Sequence, residues 1–565
     1  MRERYSRIVR FWRGYVFRYR ALWGLTLALQ FLFFGTSGVL PFFFKRVIDA
    51  LTALDVGLFV TWVVVFLGAE ITQVFLLYGR GYAMRRLELM VEQDVQVAMY
   101  RRFHTVPYEQ ALKTKTGEAL QRLTSDVPRC SPLIIKSFSE LLGHIVLVLI
   151  VLALMFVMAP LLAGISLAFV AVYTVGFRMY GRRAAVVATR RQEAEARYIA
   201  EAEEGLGALY SVHVQAGLRG VMRRFSRALS TYLREGFALY KLNLLFQGGF
   251  TTLITVASEV AILLTGAWLI FRGENTVGTL VAFSQYINWL YVFVNFMSGF
   301  AAEIEPALVS LERVQEVLAW TEDWTVEEPI APTALPDHPY AIEVRDLDFA
   351  LGDVPIFRRL SLQIERGVTT AVVGRSGLGK STLLNIILGL YPVPPGKVFL
   401  FGRDVATMPL SERMGFFAVV EQEPRFLSGN LDTELAFSHT EAGLAGVAQR
   451  LGLREFVEGL LSREISSAKL SELSGGERKR LGILRGLLRE APVLLLDEPT
   501  AFLDEETAER ILAGISTNFS GRTIVVFSHD PLVLRYCQAV VDLAATQEHG
   551  ASCSVSHCFD RFVSD

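Results

Sequence analysis

The C-terminal half of the chain contains a glycine-rich loop, Gly374-Arg375-Ser376-Gly377-Leu378-Gly379-Lys380-Ser381-Thr382. An apolar, β-branched run at 369–373 precedes this loop, and a helical pattern at 383–390 follows it. In such a strand–loop–helix setting, backbone N–H groups turn around phosphates and the helix N-terminus adds positive potential. The pattern therefore predicts a nucleoside triphosphate site, in which Lys380 reaches the β- and γ-phosphates and Ser381 ligates Mg²⁺.

Two acids follow a second apolar strand, at 493–497. Asp497, at the strand end, suits a direct or water-mediated contact with Mg²⁺. Glu498 comes next and could orient or deprotonate an attacking water. Downstream of a phosphate loop, this pair predicts ATP hydrolysis.

A third motif, Leu473-Ser474-Gly475-Gly476-Glu477, resembles the signature of the ATP-binding cassette (ABC) family. The resemblance implies that Ser474, Gly475, Gly476 and Glu477 face the phosphate loop of a second cassette. It therefore implies a head-to-tail dimer with two ATP molecules between the cassettes. Because the chain carries one cassette, two chains are needed.

The same resemblance implies roles for three further residues of the cassette. Gln422 looks like the glutamine that contacts Mg²⁺ and senses the membrane domain. His529, after the strand at 523–527, looks like the switch histidine that contacts the γ-phosphate. Asp504 looks like the acid of the loop that crosses the dimer interface.

The N-terminal half has the composition of a membrane domain. The 565 residues are 52% hydrophobic and only 20% charged, and four Cys are too few for a disulfide framework. Six apolar segments are long enough to cross a bilayer. We predict spans at about 21–44, 56–78, 138–158, 160–178, 244–271 and 276–302, with Pro160 separating the third from the fourth.

Lysine and arginine predict the orientation of these spans. The N-terminal segment and the two long connections at 79–140 and 178–241 carry 29 such residues, against 3 on the opposite side. Positive residues concentrate on the cytoplasmic side, so both termini are expected there. We expect a multi-pass protein of the bacterial inner membrane, and the arginine clusters give no support for nucleic-acid binding.

The domain organisation follows from the change in composition after Trp320. We predict an all-α six-helix transmembrane domain at 1–320, a proline-rich linker at 321–339 and an α/β P-loop nucleotide-binding domain at 340–565. The membrane half resembles ABC exporters of six spans plus one cassette. Three stretches carry that likeness: 45–49 after Pro41, 115–127, and 310–314.

The resemblance implies an ATP-driven half-transporter that pairs with a second half-transporter chain. Its cargo would be amphipathic, lipid-like or a peptide, exported by alternating access. Three alternatives stay open: one subunit of a heterodimeric exporter, an ATP-gated or regulatory membrane protein, and an importer on the same fold. ATPase activity that is not coupled to any substrate flux would indicate the ATP-gated or regulatory protein.

Four departures from the family pattern stand out. Leu351 occupies the position where an aromatic residue usually stacks on adenine, and Ala501 and Phe502 replace a serine and a small residue. The segment 465–472 is short, and 210–220 lacks the usual acid. In addition, Glu70 and Glu259 interrupt predicted spans. Such an acid binds a cationic substrate or a proton, forms a structural hydrogen bond, or lies on a part of the helix above the lipid.

Overall fold

The computed structural model describes residues 9–215, 217–322, 335–352, 354–375, 377–426, 441–461, 473–519 and 521–544. Two compact units make up the chain. The first comprises Met1–Tyr100 and Thr116–Ala319, and the second comprises Arg101–Lys115 and Trp320–Asp565. The short segment Arg101–Lys115 thus belongs with the second unit, although it lies inside the predicted 1–320 domain. Ser376 and the segment 465–472 lie outside the described residues.

The described part of the first unit consists of helices. Its α-helices are α1 (Arg20–Thr52), α2 (Val56–Thr105, which continues into the second unit), α4 (Thr116–Gln121), α5 (Val127–Pro132), α6 (Phe138–Met158), α7 (Pro160–Gly207), α8 (Leu209–Val214), α9 (Leu218–Asn243), α10 (Thr252–Phe271) and α11 (Val277–Leu318). Helix α3 (Tyr108–Lys113) lies in the second unit. Six helical stretches in the described residues are long and apolar enough to cross a membrane, which confirms the six-helix prediction.

Local sequence explains where two of the long helices begin. Ala159 is extended, with φ −158° and ψ 92°, and Pro160 is the first residue of α7. Proline suits this position because an N–H in the first turn has no acceptor within the helix, so nothing is lost without it. The φ of proline is also already helical. At the start of α11 the hydroxyl of Thr276 accepts a hydrogen bond from the Thr279 N–H, at 3.2 Å, which is a common N-terminal cap.

Polar contacts join distant parts of the first unit. The Asp49 carboxylate accepts from Lys45 at 2.6 Å and from the Gly278 N–H at 3.2 Å, so α1 holds the start of α11. The buried Asp126 accepts from the Ser310 hydroxyl at 2.8 Å. The bond between Asp126 and Ser310 connects two of the sequence stretches that resemble exporter motifs. Glu70 and Glu259 are exposed on the surface of this chain and are not buried within it.

The second unit contains two β-sheets. The antiparallel sheet has the order β2-β1-β4-β5, and the parallel sheet has the order β6-β7-β8-β3-β9. The strands are β1 (Tyr340–Leu351), β2 (Val354–Glu365), β3 (Thr369–Val373), β4 (Val398–Leu400), β5 (Arg403–Asp404), β6 (Phe417–Val420), β7 (Val493–Asp497), β8 (Thr523–Phe527) and β9 (Ala539–Asp542). This arrangement confirms the predicted α/β class of the C-terminal domain.

Helices cover the parallel sheet. They are α12 (Lys380–Ile387), α13 (Leu410–Gly415), α14 (Glu441–Arg450), α15 (Arg454–Leu461), α16 (Gly475–Leu488), α17 (Glu505–Asn518) and α18 (Pro531–Leu534). All residues of β3, β7 and β8 are buried, as expected for a parallel sheet with both faces covered. In such sheets ligands bind at the carboxyl ends of the strands, and the candidate site lies there.

Candidate functional site in the nucleotide-binding unit

The phosphate-binding loop connects β3 to α12. Gly377 and Gly379 have φ of +87° and +92°, a backbone region that residues with a side chain rarely adopt. Gly379 is also crowded, because a Cβ there would lie 2.7 Å from Ile356 Cγ2 and 2.8 Å from Phe357 Cζ. Ser381 and Thr382 occupy the first turn of α12. The loop is therefore closed against β2 and its helix N-terminus is available to an anion.

Lys380, the first residue of α12, points back across the loop. Its Nζ donates to the Gly374 carbonyl at 2.8 Å and lies 3.5 Å from Glu498 Oε1. Lys380 and Glu498 are far apart in sequence and meet because β3 and β7 both flank β8. The structure thus brings the predicted phosphate-binding lysine and the predicted water-activating acid to one place.

Glu498 is held by three groups. Its backbone φ is +44°, and its N–H donates to the Phe527 carbonyl at 2.8 Å. Its Oε2 accepts from the Ser528 hydroxyl at 2.9 Å, and its Oε1 lies 2.8 Å from His529 Nδ1. Such backbone strain persists only where the surroundings impose it, and it is typical of functional sites.

The electrostatics of the two acids differ. Burial raises the pKa of Glu498, but hydrogen bonds from His529 and Ser528 and the charge of Lys380 outweigh burial, so its pKa lies below the usual range. Burial and the charge of Glu498 raise the pKa of Asp497. Glu498 is therefore the carboxylate that stays ionised most readily.

Gln422 follows β6 and is exposed. Its backbone carbonyl accepts from Lys479 Nζ at 3.1 Å, and the same ammonium donates to the Asp497 carbonyl at 2.9 Å. The predicted Mg²⁺ ligands Gln422 and Asp497 are therefore connected through a lysine that sequence reasoning missed.

The signature residues begin helix α16. The Ser474 hydroxyl accepts from the Glu477 N–H at 3.2 Å, and Glu477 Oε2 accepts from the Ser474 N–H at 2.9 Å. This reciprocal pair is a capping box, which satisfies N–H groups at a helix start. Gly475 and Gly476 lie between them, beside Phe502. The sequence analysis did not predict this cap, although the spacing of Ser474 and Glu477 is a signal for it.

Asp504 begins the next helix, α17. Its carboxylate accepts from the Thr507 N–H at 2.9 Å, and this bond lowers the pKa of Asp504. The preceding Phe502 is 61% exposed and has φ +65°, which is unusual for a bulky residue. Asp504 is thus an N-cap in a loop with an exposed aromatic ring.

Two sequence families match the chain. Residues 23–294 match the ABC transporter transmembrane region, and residues 357–501 match the ABC transporter family of ATP-binding domains. The chain belongs to the ABC transporter family. With six apolar helical stretches and one cassette, it has the organisation of an exporter-type half-transporter. It is accordingly an integral, multi-pass membrane protein with an ATP-binding domain.

Several curated ABC transporters are similar over most of their length. An export ATP-binding/permease protein of Rickettsia bellii (strain RML369-C) is 23% identical over 469 residues, covering 80% of this chain and 79% of the relative. The ATP-dependent lipid A-core flippase of Syntrophus aciditrophicus (strain SB) is 24% identical, with coverages of 84% and 80%. A fatty acid ABC transporter ATP-binding/permease protein of Mycobacterium bovis (strain ATCC BAA-935 / AF2122/97) is 27% identical, with coverages of 79% and 70%.

Two departures of this ABC transporter are visible in the cassette. Leu351 is 45% exposed and pairs with Val354, itself 61% exposed, where β1 turns into β2. With Phe502 they are the exposed large hydrophobic residues in the described part of residues 320–565. The hairpin therefore presents an exposed aliphatic surface at the position where an aromatic residue was expected.

Proposed function

We propose that this chain is one half of a dimeric ABC exporter that hydrolyses ATP at composite sites between two cassettes. The observation that carries the proposal is the cluster of Lys380, Glu498 and His529 at the carboxyl ends of β3, β7 and β8. Both termini would lie on the cytoplasmic side of a bacterial inner membrane, as the distribution of lysine and arginine predicts.

The phosphate loop would hold the triphosphate of ATP. Its backbone N–H groups from Gly374 to Thr382 would surround the phosphates, and the exposed side chain of Arg375 would add positive charge. Lys380 now donates to the Gly374 carbonyl and would instead donate to the β- and γ-phosphates. The loop is thus closed by a bond that the substrate can replace.

Ser381, Gln422 and Asp497 would hold Mg²⁺. Their hydroxyl, amide and carboxylate oxygens are the ligand types that Mg²⁺ prefers, and a single carboxylate suits an ion that keeps water and phosphate ligands. The described residues contain no group of three or more His, Cys, Asp or Glu that could hold a metal, which agrees with a site completed by the nucleotide. When bound, Mg²⁺ would neutralise charge on the phosphates.

Glu498 would orient the attacking water and accept its proton, because its carboxylate is ionised and is held in a fixed direction by Ser528 and His529. His529 would donate to Glu498 from Nδ1, and in the protonated ring it would also donate from Nε2 to the γ-phosphate. The site of the partner chain would be completed by two segments of this chain. They are the signature turn, Ser474, Gly475, Gly476 and Glu477, and the loop that contains Asp504. Closure of the two cassettes would then drive the spans between inward- and outward-facing states.

A cavity in the first unit supports an amphipathic cargo, lipid-like or peptide. It has a volume of about 580 Å³ and includes the aromatic rings of Phe296 and Phe300 and the acids Glu140 and Glu303. Lys136 and Arg129 also line it. Aromatic and charged groups together suit a molecule with an apolar body and a charged head.

Stimulation of the ATPase by charged amphiphiles tests this cargo class. We expect stimulation of the wild type in lipid, and a loss of that stimulation in Phe296→Ala. Phe271→Ala is the matched control, because Phe271 is 90% exposed and does not line the cavity. Equal stimulation in all three proteins would remove the cavity from the proposal.

The ATPase itself is tested with the purified chain in lipid. We expect activity that Glu498→Gln lowers by at least about 100-fold, as for loss of a catalytic base. Glu505→Gln, a change of an exposed neighbouring acid, should keep wild-type activity. No activity in a folded wild type would contradict a competent homodimer.

A heterodimeric exporter is the second candidate, and the exposed, strained Phe502 favours it. An aromatic ring of that exposure in a loop assigned to the interface could fit a different partner chain. Copurification from the source cells distinguishes the two, since a homodimer yields one chain and a heterodimer yields two in equal amounts.

A further inference from the structure

Lys479 is a fully buried lysine on α16, in the helix that begins with the signature. Its ammonium donates to three backbone carbonyls: Asp497 at 2.9 Å, Glu421 at 2.9 Å and Gln422 at 3.1 Å. A lysine ammonium has three N–H donors, so each donor has one carbonyl acceptor. A buried charge is costly unless it is hydrogen-bonded in this way.

The three carbonyls belong to two elements that carry predicted Mg²⁺ ligands. Asp497 ends β7, and Glu421 and Gln422 follow β6. One ammonium therefore connects the end of β7, the segment after β6 and the helix of the signature. The proposed mechanism of ATP hydrolysis assigns no role to this side chain.

Close packing of α16 supports the same connection independently. A Cβ at Gly482 would lie 2.3 Å from Pro424 Cγ, and one at Gly486 would lie 2.6 Å from Val420 Cγ2. The helix can thus lie directly against β6 and the segment that follows it. Arg485 adds a bond from Nη1 to the Arg425 carbonyl at 3.0 Å.

We propose that Lys479 is a positioning residue, which fixes the backbone of Gln422 and Asp497 to the signature helix so that the Mg²⁺ ligands move with it. The inference deepens the proposed ATPase and rests on it. Burial lowers the pKa of Lys479 to about 8, although Asp497, Glu498 and Glu421 oppose this change. The three carbonyl acceptors and the nearby carboxylates thus favour the charged form of the Lys479 ammonium.

The test compares three variants of the full chain in lipid. Lys479→Met keeps the length of the side chain and removes all donors, and Lys479→Gln keeps two N–H donors. Arg489→Met is the matched control. Arg489 follows the same helix and donates from Nη2 to the Met414 carbonyl at 2.6 Å, away from the predicted ligands.

The first measurement is backbone amide hydrogen exchange without nucleotide, followed by mass spectrometry. We expect Lys479→Met to accelerate exchange in peptides covering 417–426, Lys479→Gln to do so less, and Arg489→Met to leave these peptides unchanged. Because this readout needs no hydrolysis, it tests the inference even where the wild type shows no ATPase activity, which would instead contradict the proposed function.

The second measurement is the Mg²⁺ concentration for half-maximal ATPase activity. Loss of bonds from a charged donor predicts a rise of about tenfold in Lys479→Met, with a smaller rise in Lys479→Gln. Binding of a fluorescent ATP analogue without Mg²⁺ should stay near the wild-type value, since the phosphate loop is untouched. Two results would overturn the proposal. One is that Lys479→Met shows the hydrogen exchange and Mg²⁺ dependence of the wild type, and the other is that Arg489→Met alters both as much as Lys479→Met does.

Discussion

The phosphate-loop side and the signature side of the cassette use their polar groups differently. On the first side, Lys380 begins α12, Glu498 follows β7, and Ser528 and His529 follow β8; Lys380, Ser528 and His529 each contact Glu498. On the second side, Ser474 bonds to Glu477 and Asp504 bonds to Thr507, each within the helix that it begins.

This difference would explain how one chain could hold half of two sites, as proposed above. The first group is the proposed catalytic arrangement, in which Lys380, Ser528 and His529 each contact Glu498. The second group forms capped helix starts. The backbone N–H groups there would point toward the nucleotide of the partner chain. The comparison therefore predicts that changes on the first side act on chemistry, while changes on the second side act on helix stability and on the partner's site.

The largest expected effect is that of Gly379→Ala. Both the φ of +92° and the contact with Ile356 oppose a Cβ there, so the loop must move. We expect ATPase activity to fall by about 100-fold, as for misplacement of a binding group by about 1 Å. Gly377→Ala is the control, because its φ is similar but a Cβ meets nothing within 4 Å. Equal losses in both variants would contradict the role given to the contact with β2.

The next effect is that of Ser528→Ala. Loss of a hydrogen bond to the Glu498 carboxylate should lower kcat by about tenfold. Ser361→Ala is the control, since it removes an exposed hydroxyl that accepts from the Asp346 N–H. This control variant should keep the wild-type kcat.

The pH profile provides the second readout for Ser528→Ala. The pKa of Glu498 is lowered in the folded protein, so the active carboxylate is present above that pKa and is lost as the pH falls through it. Removing Ser528 takes away one cause of the lowering. The acid limb of the kcat profile should therefore move to higher pH, and an unmoved limb would separate Ser528 from Glu498.

A smaller effect is expected for Ser474→Ala. Loss of an N-cap costs about 1 kcal/mol and should lower the unfolding temperature of the cassette by a few degrees. ATPase activity should fall as well, because the cap also presents the signature to the partner. Asp404→Ala removes a cap that accepts from the Ala406 N–H elsewhere in the cassette. That variant should lower stability and leave kcat unchanged.

The smallest effect is a gain, in Leu351→Tyr. A base–aromatic contact contributes about 1 kcal/mol or more, so the affinity for ATP should rise by about fivefold. Equilibrium binding of ATP measures this gain, with Leu351→Ala as the reference that adds no ring. An affinity unchanged by tyrosine would mean that the base does not lie on the hairpin.

The sequence predicted the elements whose signals are local. Uncharged runs predicted six membrane helices, and the alternation after Tyr340 predicted the α/β domain; the structure confirms both. The motifs around Lys380, Asp497 and Ser474 predicted which residues to examine, and their roles stay predictions.

Long-range contacts were not readable from the sequence. The bond of Ser528 to Glu498 depends on β8 lying beside β7, and sequence order does not give strand order. Lys479 looked like one more charge in a polar helix turn, and only burial under β6 and β7 reveals its three acceptors. The capping role of Glu477 was not predicted, although serine and an acid three residues apart at a helix start form a known pattern.

Coexpression of two inactive chains tests the central claim, that each ATP site combines both sides from different chains. One chain carries Lys380→Ala, and the other carries Ser474→Arg, which blocks the signature. In a mixed dimer one site has both defects and the other has none. We predict little activity from either chain alone and recovery of a clear part of wild-type ATPase activity from the purified mixed dimer. A mixed dimer as inactive as its parents would contradict composite sites.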